Sequence, residues 1–366
     1  GGQAGGDGKD EEVRRLPPAQ LSAIETSHRR AVTDLVWLPP NKEVAPKTGA
    51  VSTPQGMMHV SQQFLTIAAD GMVMFWDMRV KKKDDKSGVV FWLPIYRIAM
   101  NSSEGSTELS GTLLSLDPAP TGDRASWFYC GTEDGELVCG SWVKAEAANP
   151  FGNKEEEEGG KSGSTFVQNR LRCQYGPVVA LQKSPFFDDV LLTVGDWTFN
   201  VFKMGDGAEE GGVETPVLVG PYSKSYLTCG RFSPTRPGVF VIGRADGRLE
   251  VWDLLDHSNQ AAVEHALGTD AVTAIEFWSD PGGGVQLLAV GDDKGTLHIL
   301  EIPRSLRVAR MGASHVKALL MREVSRVEYV GQRETLRAKE LAVWETEEEK
   351  RRAAAAEAAA KAAAEE

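Results

Sequence analysis

Three features of the sequence predict an all-β fold assembled from repeated four-stranded antiparallel sheets. An apolar strand, an Asp-Gly-type turn and an alternating strand recur five times, with turns at Asp70-Gly71, Asp134-Gly135, Asp196-Trp197, Asp246-Gly247 and Lys294-Gly295. The second turn positions step by 64, 62, 50 and 48 residues, a repeat period rather than a scatter of unrelated hairpins. Two of the strands that follow, MVMFWD at 72–77 and RLEVWD at 248–253, end in a Trp-Asp dipeptide.

Each element has a local reason. Asp-Gly between two alternating strands is a hairpin signal, because glycine accepts the positive φ of the turn. An apolar or aromatic residue followed by a short proline turn precedes the hairpins at Trp37-Leu38-Pro39, Leu116-Asp117-Pro118 and Phe232-Ser233-Pro234, with degenerate forms at Lys183-Ser184-Pro185 and Phe277-Trp278-Ser279. A Trp-Asp pair closing the third strand of such a unit is the WD-repeat signature, and each unit is one blade of a β-propeller. Ser141-Trp142, Phe202-Lys203 and Leu300-Glu301 are the substitutes in the other three units. The blades occupy 25–303, the C-terminal five of a seven- or eight-bladed propeller. Residues 1–24 form a linker and, at 16–24, the outermost strand of a preceding blade. The chain opens on Gly1 without Met and reads as a piece of a longer protein, with the missing blades upstream.

Residues 41–62, 144–170 and 205–215 are polar, Gly-rich insertions that read as surface loops. From about residue 304 the period changes. Val316, Leu320, Val324 and Val327 fall at spacings of 4, 4 and 3, one face of a helix spanning 316–329 at least. The segment 347–366 is Ala, Glu, Lys and Arg, with high helix propensity and no apolar face beyond alanine. The stripe, with Tyr329, is a candidate partner-binding helix. Docking on a partner is preferred to docking on the chain's own propeller, because the helix runs on into charged sequence that suits projection.

Composition bounds the function. The 366 residues carry 40 Lys and Arg against 52 Asp and Glu, so the net charge of −12 argues against nucleic acid and anionic membranes as partners. No apolar run approaches the ~18 residues of a membrane helix. Cys130, Cys139, Cys173 and Cys229 form no CxxC pair, which disfavours zinc or a disulfide framework and fits a reducing compartment. Cys130 and Cys139 flank one turn and read as small buried hydrophobes. Gly159-Gly160-Lys161-Ser162 ends like a phosphate loop, but Glu155 stands where the motif needs glycine, after an acidic run at 155–158. The six histidines show no metal spacing. No triad, paired-carboxylate or cofactor pattern emerges, so no catalytic residue, metal or cofactor is expected.

Residues 184–203 (SPFFDDVLLTVGDWTFNVFK) and 231–256 (RFSPTRPGVFVIGRADGRLEVWDLLD) resemble blades of the dynein intermediate chains. Residues 28–39 (HRRAVTDLVWLP) and 63–79 (QFLTIAADGMVMFWDMR) are similar to the axonemal members. Residues 322–330 (REVSRVEYV) resemble the post-propeller helix of the larger intermediate chain of the two-headed inner arm. The likeness covers roughly 25–345, and the acidic loop at 144–170 departs from it. The resemblance implies a non-catalytic cytoskeletal scaffold of the ciliary or flagellar axoneme. Its propeller would bind a dynein heavy-chain tail, and upstream sequence would hold a second intermediate chain and the light chains. A generic adaptor, such as a ubiquitin-ligase substrate receptor, is the competing reading. By resemblance to WD repeats, His28, Asp70 and Trp76 form a structural hydrogen-bond network within one blade, and Asp134, Asp196, Asp246 and Trp252 hold the corresponding places in others.

Overall fold

The computed structural model describes residues 21–53, 60–79, 91–101, 108–116, 125–143, 166–204, 216–280, 284–308 and 312–365. Four four-stranded antiparallel sheets follow one another along the chain, and a three-stranded sheet ends the series. The first unit runs Val32–Trp37, Gln63–Ala68, Met72–Asp77 and Tyr96–Ala99. The second runs Gly111–Leu116, Trp127–Thr132, Glu136–Ser141 and Val167–Arg172. The third comprises Val178–Lys183, Val190–Gly195, Thr198–Lys203 and Leu218–Val219. Leu227–Phe232, Val239–Arg244, Arg248–Asp253 and Val263–Ala266 build the fourth, and Val272–Ser279, Gln286–Asp292 and Leu297–Glu301 the fifth. The first strands of successive units pack against one another in turn, the arrangement of propeller blades around an axis.

The middle strands of the second, third and fourth units are buried on both faces because each of these units lies between two neighbours. In Val239–Arg244, Val239 and Val241 face the fifth unit, with Val272, Ile275 and Val290. Phe240 and Ile242 face the third, with Val194 and Phe199. Successive side chains point to opposite faces, so a strand covered on both sides reads as a continuous apolar run. The core is therefore a series of separate inter-blade layers.

The turns hold the registers. Gly71, Gly135, Gly247 and Gly295 all have φ between 69° and 83°, a region where only glycine is free of strain. The third unit differs. Gly195 pairs with Thr198 across a tighter two-residue turn, and Asp196 takes the left-handed φ of 50°. This leaves Trp197 at the turn tip.

Three expectations change. Among the described residues Leu21–Ser22 is not the outer strand of a four-stranded sheet: it forms a separate two-stranded parallel sheet with Phe91–Trp92. Residues 144–170 are not all loop, since Val167–Arg172 is the fourth strand of the second unit and pairs with Glu136–Ser141. The tryptophan position in that unit is also shifted. Phe64 pairs with Trp76 and Phe240 with Trp252, whereas Phe128 pairs with Gly140, so Trp142 lies two residues beyond the equivalent place. A side chain at Gly140 would collide with the Phe128 ring, and Trp142 packs instead edge-on to Phe75 of the first unit. The acidic run, the Gly-Gly-Lys-Ser segment and the Asp117-Pro118 turn lie outside the described residues.

Candidate interaction surface

In the first unit a polar network joins the loop before the first strand and the Asp70 turn to the second and third strands. His28 Nδ1 lies 3.2 Å from Asp70 Oδ1, and His28 Nε2 lies 2.8 Å from Thr66 Oγ1. The Trp76 indole N–H donates to the same Thr66 hydroxyl at 2.8 Å. Thr66 is thus the connecting member, and sequence reasoning missed it; a hydroxyl residue facing the third strand inside an apolar run was the available signal. Burial pushes the Asp70 carboxyl up. The backbone N–H groups of Arg29 and Met72, with the His28 ring, outweigh this and hold it below the usual carboxylate range.

The other turn aspartates do not repeat that arrangement. Asp134 is exposed. Asp196 accepts from the backbone N–H groups of Tyr175 at 3.0 Å and Gly176 at 2.6 Å, tying the loop that enters the third unit to its turn. Asp246 does not bond Trp252. It pairs with Arg244, Arg244 Nη1 donates to Glu250 at 2.9 Å, and Glu250 accepts the Trp252 indole N–H at 3.0 Å.

The helix runs from Ala313 to Glu365, 53 residues and roughly 80 Å at 1.5 Å per residue. Its predicted stripe divides. Val316 and Leu320 are buried in the layer between the third and fourth units, with Leu254 and Trp252, and Val324 is half-buried there. These residues are not available to a partner, a correction to the preferred reading. Gly238 leaves the room that Val316 fills. Val327 is half-buried and Tyr329 is exposed, and beyond them Leu336, Leu341, Val343 and Trp344 stand exposed on the projecting part.

The terminal blades each present an uncovered sheet face. Val32, Leu35 and Trp37 are exposed on the first unit, and Trp278, Leu297 and Ile299 on the fifth. A shallow depression of about 430 Å³ lies beside the first strands, between Trp37, Leu114, Leu181 and Arg231. Among the described residues no cluster of His, Cys, Asp and Glu could hold a metal, and no helix is both long and apolar enough to cross a membrane. No disulfide joins Cys130, Cys139, Cys173 and Cys229, and burial pushes the thiols of Cys173 and Cys229 up to about 11.

Successive four-stranded sheets joined through their first strands, with Trp-Asp or its substitutes closing the third, define a WD-repeat β-propeller. Residues 6–122 and 119–302 match the model of the Dynein axonemal intermediate chain 3 WD40 domain, and the chain belongs to that family. It is 28% identical over 391 residues to Dynein axonemal intermediate chain 3 of Homo sapiens, covering 90% of this chain and 42% of the relative. Against the 70 kDa intermediate chain of the flagellar outer arm of Chlamydomonas reinhardtii it is 27% identical, covering 84% and 45%. Against Dynein axonemal intermediate chain 2 of Mus musculus the figures are 27%, 88% and 43%. The chain thus spans less than half the length of these relatives.

Proposed function

We propose that this chain is the propeller part of a non-catalytic scaffold subunit of an axonemal dynein complex, working in the cytoskeleton of cilia or flagella. Its blades bind the tail of a dynein heavy chain, and sequence upstream binds a second intermediate chain and the light chains. Upstream blades cover the free faces of the first and fifth units. The likeness of residues 322–330 favours the inner arm. The observation that carries the reading is the family match across 6–302, on a fold whose broad rigid faces suit recruitment by area and shape.

The test is affinity purification of the tagged full-length protein from a high-salt axonemal extract. A dynein heavy chain with light chains is the expected set, and ubiquitin-ligase subunits in its place would overturn the reading. The purified chain alone is expected to hydrolyse no ATP. Micromolar ATP binding abolished by Lys161→Ala would contradict a non-catalytic role.

A further inference from the structure

We propose that the aromatic loops of the third and fourth blades form a second binding site, for an extended acidic, proline-bearing peptide segment of a partner. In an up-down-up-down sheet, the turn between strands two and three lies at the same end as the connection into the next sheet. Trp197 sits on that turn of the third blade. Tyr175 lies on the connection entering the third blade, and Tyr222 and Tyr226 on the connection entering the fourth. All four are exposed: Tyr175 by 79%, Tyr222 by 77%, Tyr226 by 53% and Trp197 by 39%. Three of the chain's six tyrosines are gathered here. Large apolar residues scattered singly over a surface need no explanation; a cluster contributed by three loops does.

The platform is held rigid. Trp197 and Tyr226 stack with ring centroids 4.5 Å apart and planes 28° from parallel. The Ser223 N–H donates to the Trp197 carbonyl at 2.8 Å, and the Leu227 N–H to the Asp196 carbonyl at 2.7 Å. The Ala245 N–H fixes the Tyr226 carbonyl at 2.8 Å, and the Asp196 carboxylate fixes the backbone of Tyr175. Fixed aromatic side chains lose little entropy on binding, which is why Tyr and Trp dominate the energetics of interfaces.

Charge selects the occupant. The chain as a whole carries −12, yet the exposed charges nearest these rings are Lys224, on the loop entering the fourth blade, and Arg172, at the end of the strand before the third blade, 5.9 Å over the Tyr175 ring. Among the described residues neither cation has a carboxylate partner. Asp196 is engaged by two backbone N–H groups, and Asp246 by Arg244. Exposed Glu133 and Asp134 on the second blade's turn would repel an acidic segment on that side, directing it across the third and fourth blades. Tyrosine hydroxyls and the two cations suit carboxylates. Proline rings in an extended chain stack on aromatic faces with little ordering cost.

The experiment is fluorescence anisotropy on the full chain with two labelled decapeptides, one alternating Glu and Pro, the other Lys and Pro. Saturable binding of the Glu-Pro peptide is expected. Trp197→Ala and Tyr226→Ala should each weaken it about tenfold, with the melting temperature little changed because neither ring belongs to an inter-blade core layer. Arg172→Glu, which leaves every stacked ring in place, should weaken it as well. No saturable binding of the Glu-Pro peptide, equal binding of the Lys-Pro peptide, or affinities untouched by all three variants would overturn the proposal. None of these outcomes depends on whether a heavy chain co-purifies.

Discussion

The first and fourth blades put a tryptophan at the same strand position and satisfy its indole N–H with different chemistry. Register makes the comparison residue by residue. Trp76 pairs with Phe64 and Trp252 with Phe240, so Thr66 corresponds to Ile242, and Met74 to Glu250. The acceptor has crossed the strand pair: a hydroxyl on the second strand serves Trp76, a carboxylate on the third serves Trp252. Ile242 can accept nothing, and the buried carboxylate that replaces the hydroxyl needs a cation, supplied by Arg244 where the first blade has Ala68. The surroundings differ too. Trp252 is enclosed by Phe199 and Phe240 in the layer shared with the third blade, under Val316 and Leu320. Trp76 lies on the first blade's free side, covered by Phe64 and by Trp92 from the connection to the outer strand. The strand position is common, whereas the polar solution is local.

The largest expected effect sharpens that contrast. Trp252→Ala should cost about 5 kcal/mol and Trp76→Ala about 3, the two ends of the range for large core deletions. Urea denaturation followed by circular dichroism checks the order, and equal losses would break the distinction between an enclosed and an edge position. Next comes Glu250→Ala, at about 1–3 kcal/mol, because it leaves the buried Trp252 indole N–H without its acceptor and removes one carboxylate from Arg244, which keeps Asp246. Thr66→Val should cost about 1–3 kcal/mol through unpaired His28 and Trp76 nitrogens. Leu320→Ala should cost about 2–5 kcal/mol by opening the layer beneath Trp252. Leu336→Ala, on the projecting part of the same helix, should cost under ~0.5 kcal/mol.

The smallest effect is the pH dependence. Asp70 is held below 3.8 in the folded chain, so its contribution is complete above that value and is lost as pH falls through the lower, folded value. Asp70→Asn should lower stability at neutral pH and flatten the stability profile below about pH 4. An unchanged slope would mean that another carboxylate dominates acid unfolding.

Much of the fold was legible because it rests on short-range rules. Turn glycines and strand alternation mark the blades without knowledge of their neighbours. The third blade's different turn was less visible, since Asp196-Trp197 has the length of an Asp-Gly pair but places the left-handed residue one position earlier. Ser141-Trp142 misled for a related reason: a Trp near the end of a third strand looks like the signature residue until pairing shows Gly140 in its place. The polar networks were half legible. His28 and Asp70 carry recognisable side chains, whereas Thr66 and Glu250 gain their roles only from cross-strand register. The helix stripe was read correctly as a helix face and assigned to the wrong surface. Its spacing fixes which residues share a face but says nothing of the Gly238 hollow, some eighty residues upstream.

The proposed role, a non-catalytic subunit that holds a dynein motor in the axoneme, is checked by removing the protein. Axonemes should be isolated from ciliated cells lacking the protein, and the dynein heavy chains quantified by mass spectrometry. Selective loss of one heavy-chain class, restored by the wild-type protein and by Lys161→Ala alike, is the predicted result. An undiminished set of heavy chains, or rescue that requires Lys161, would contradict it.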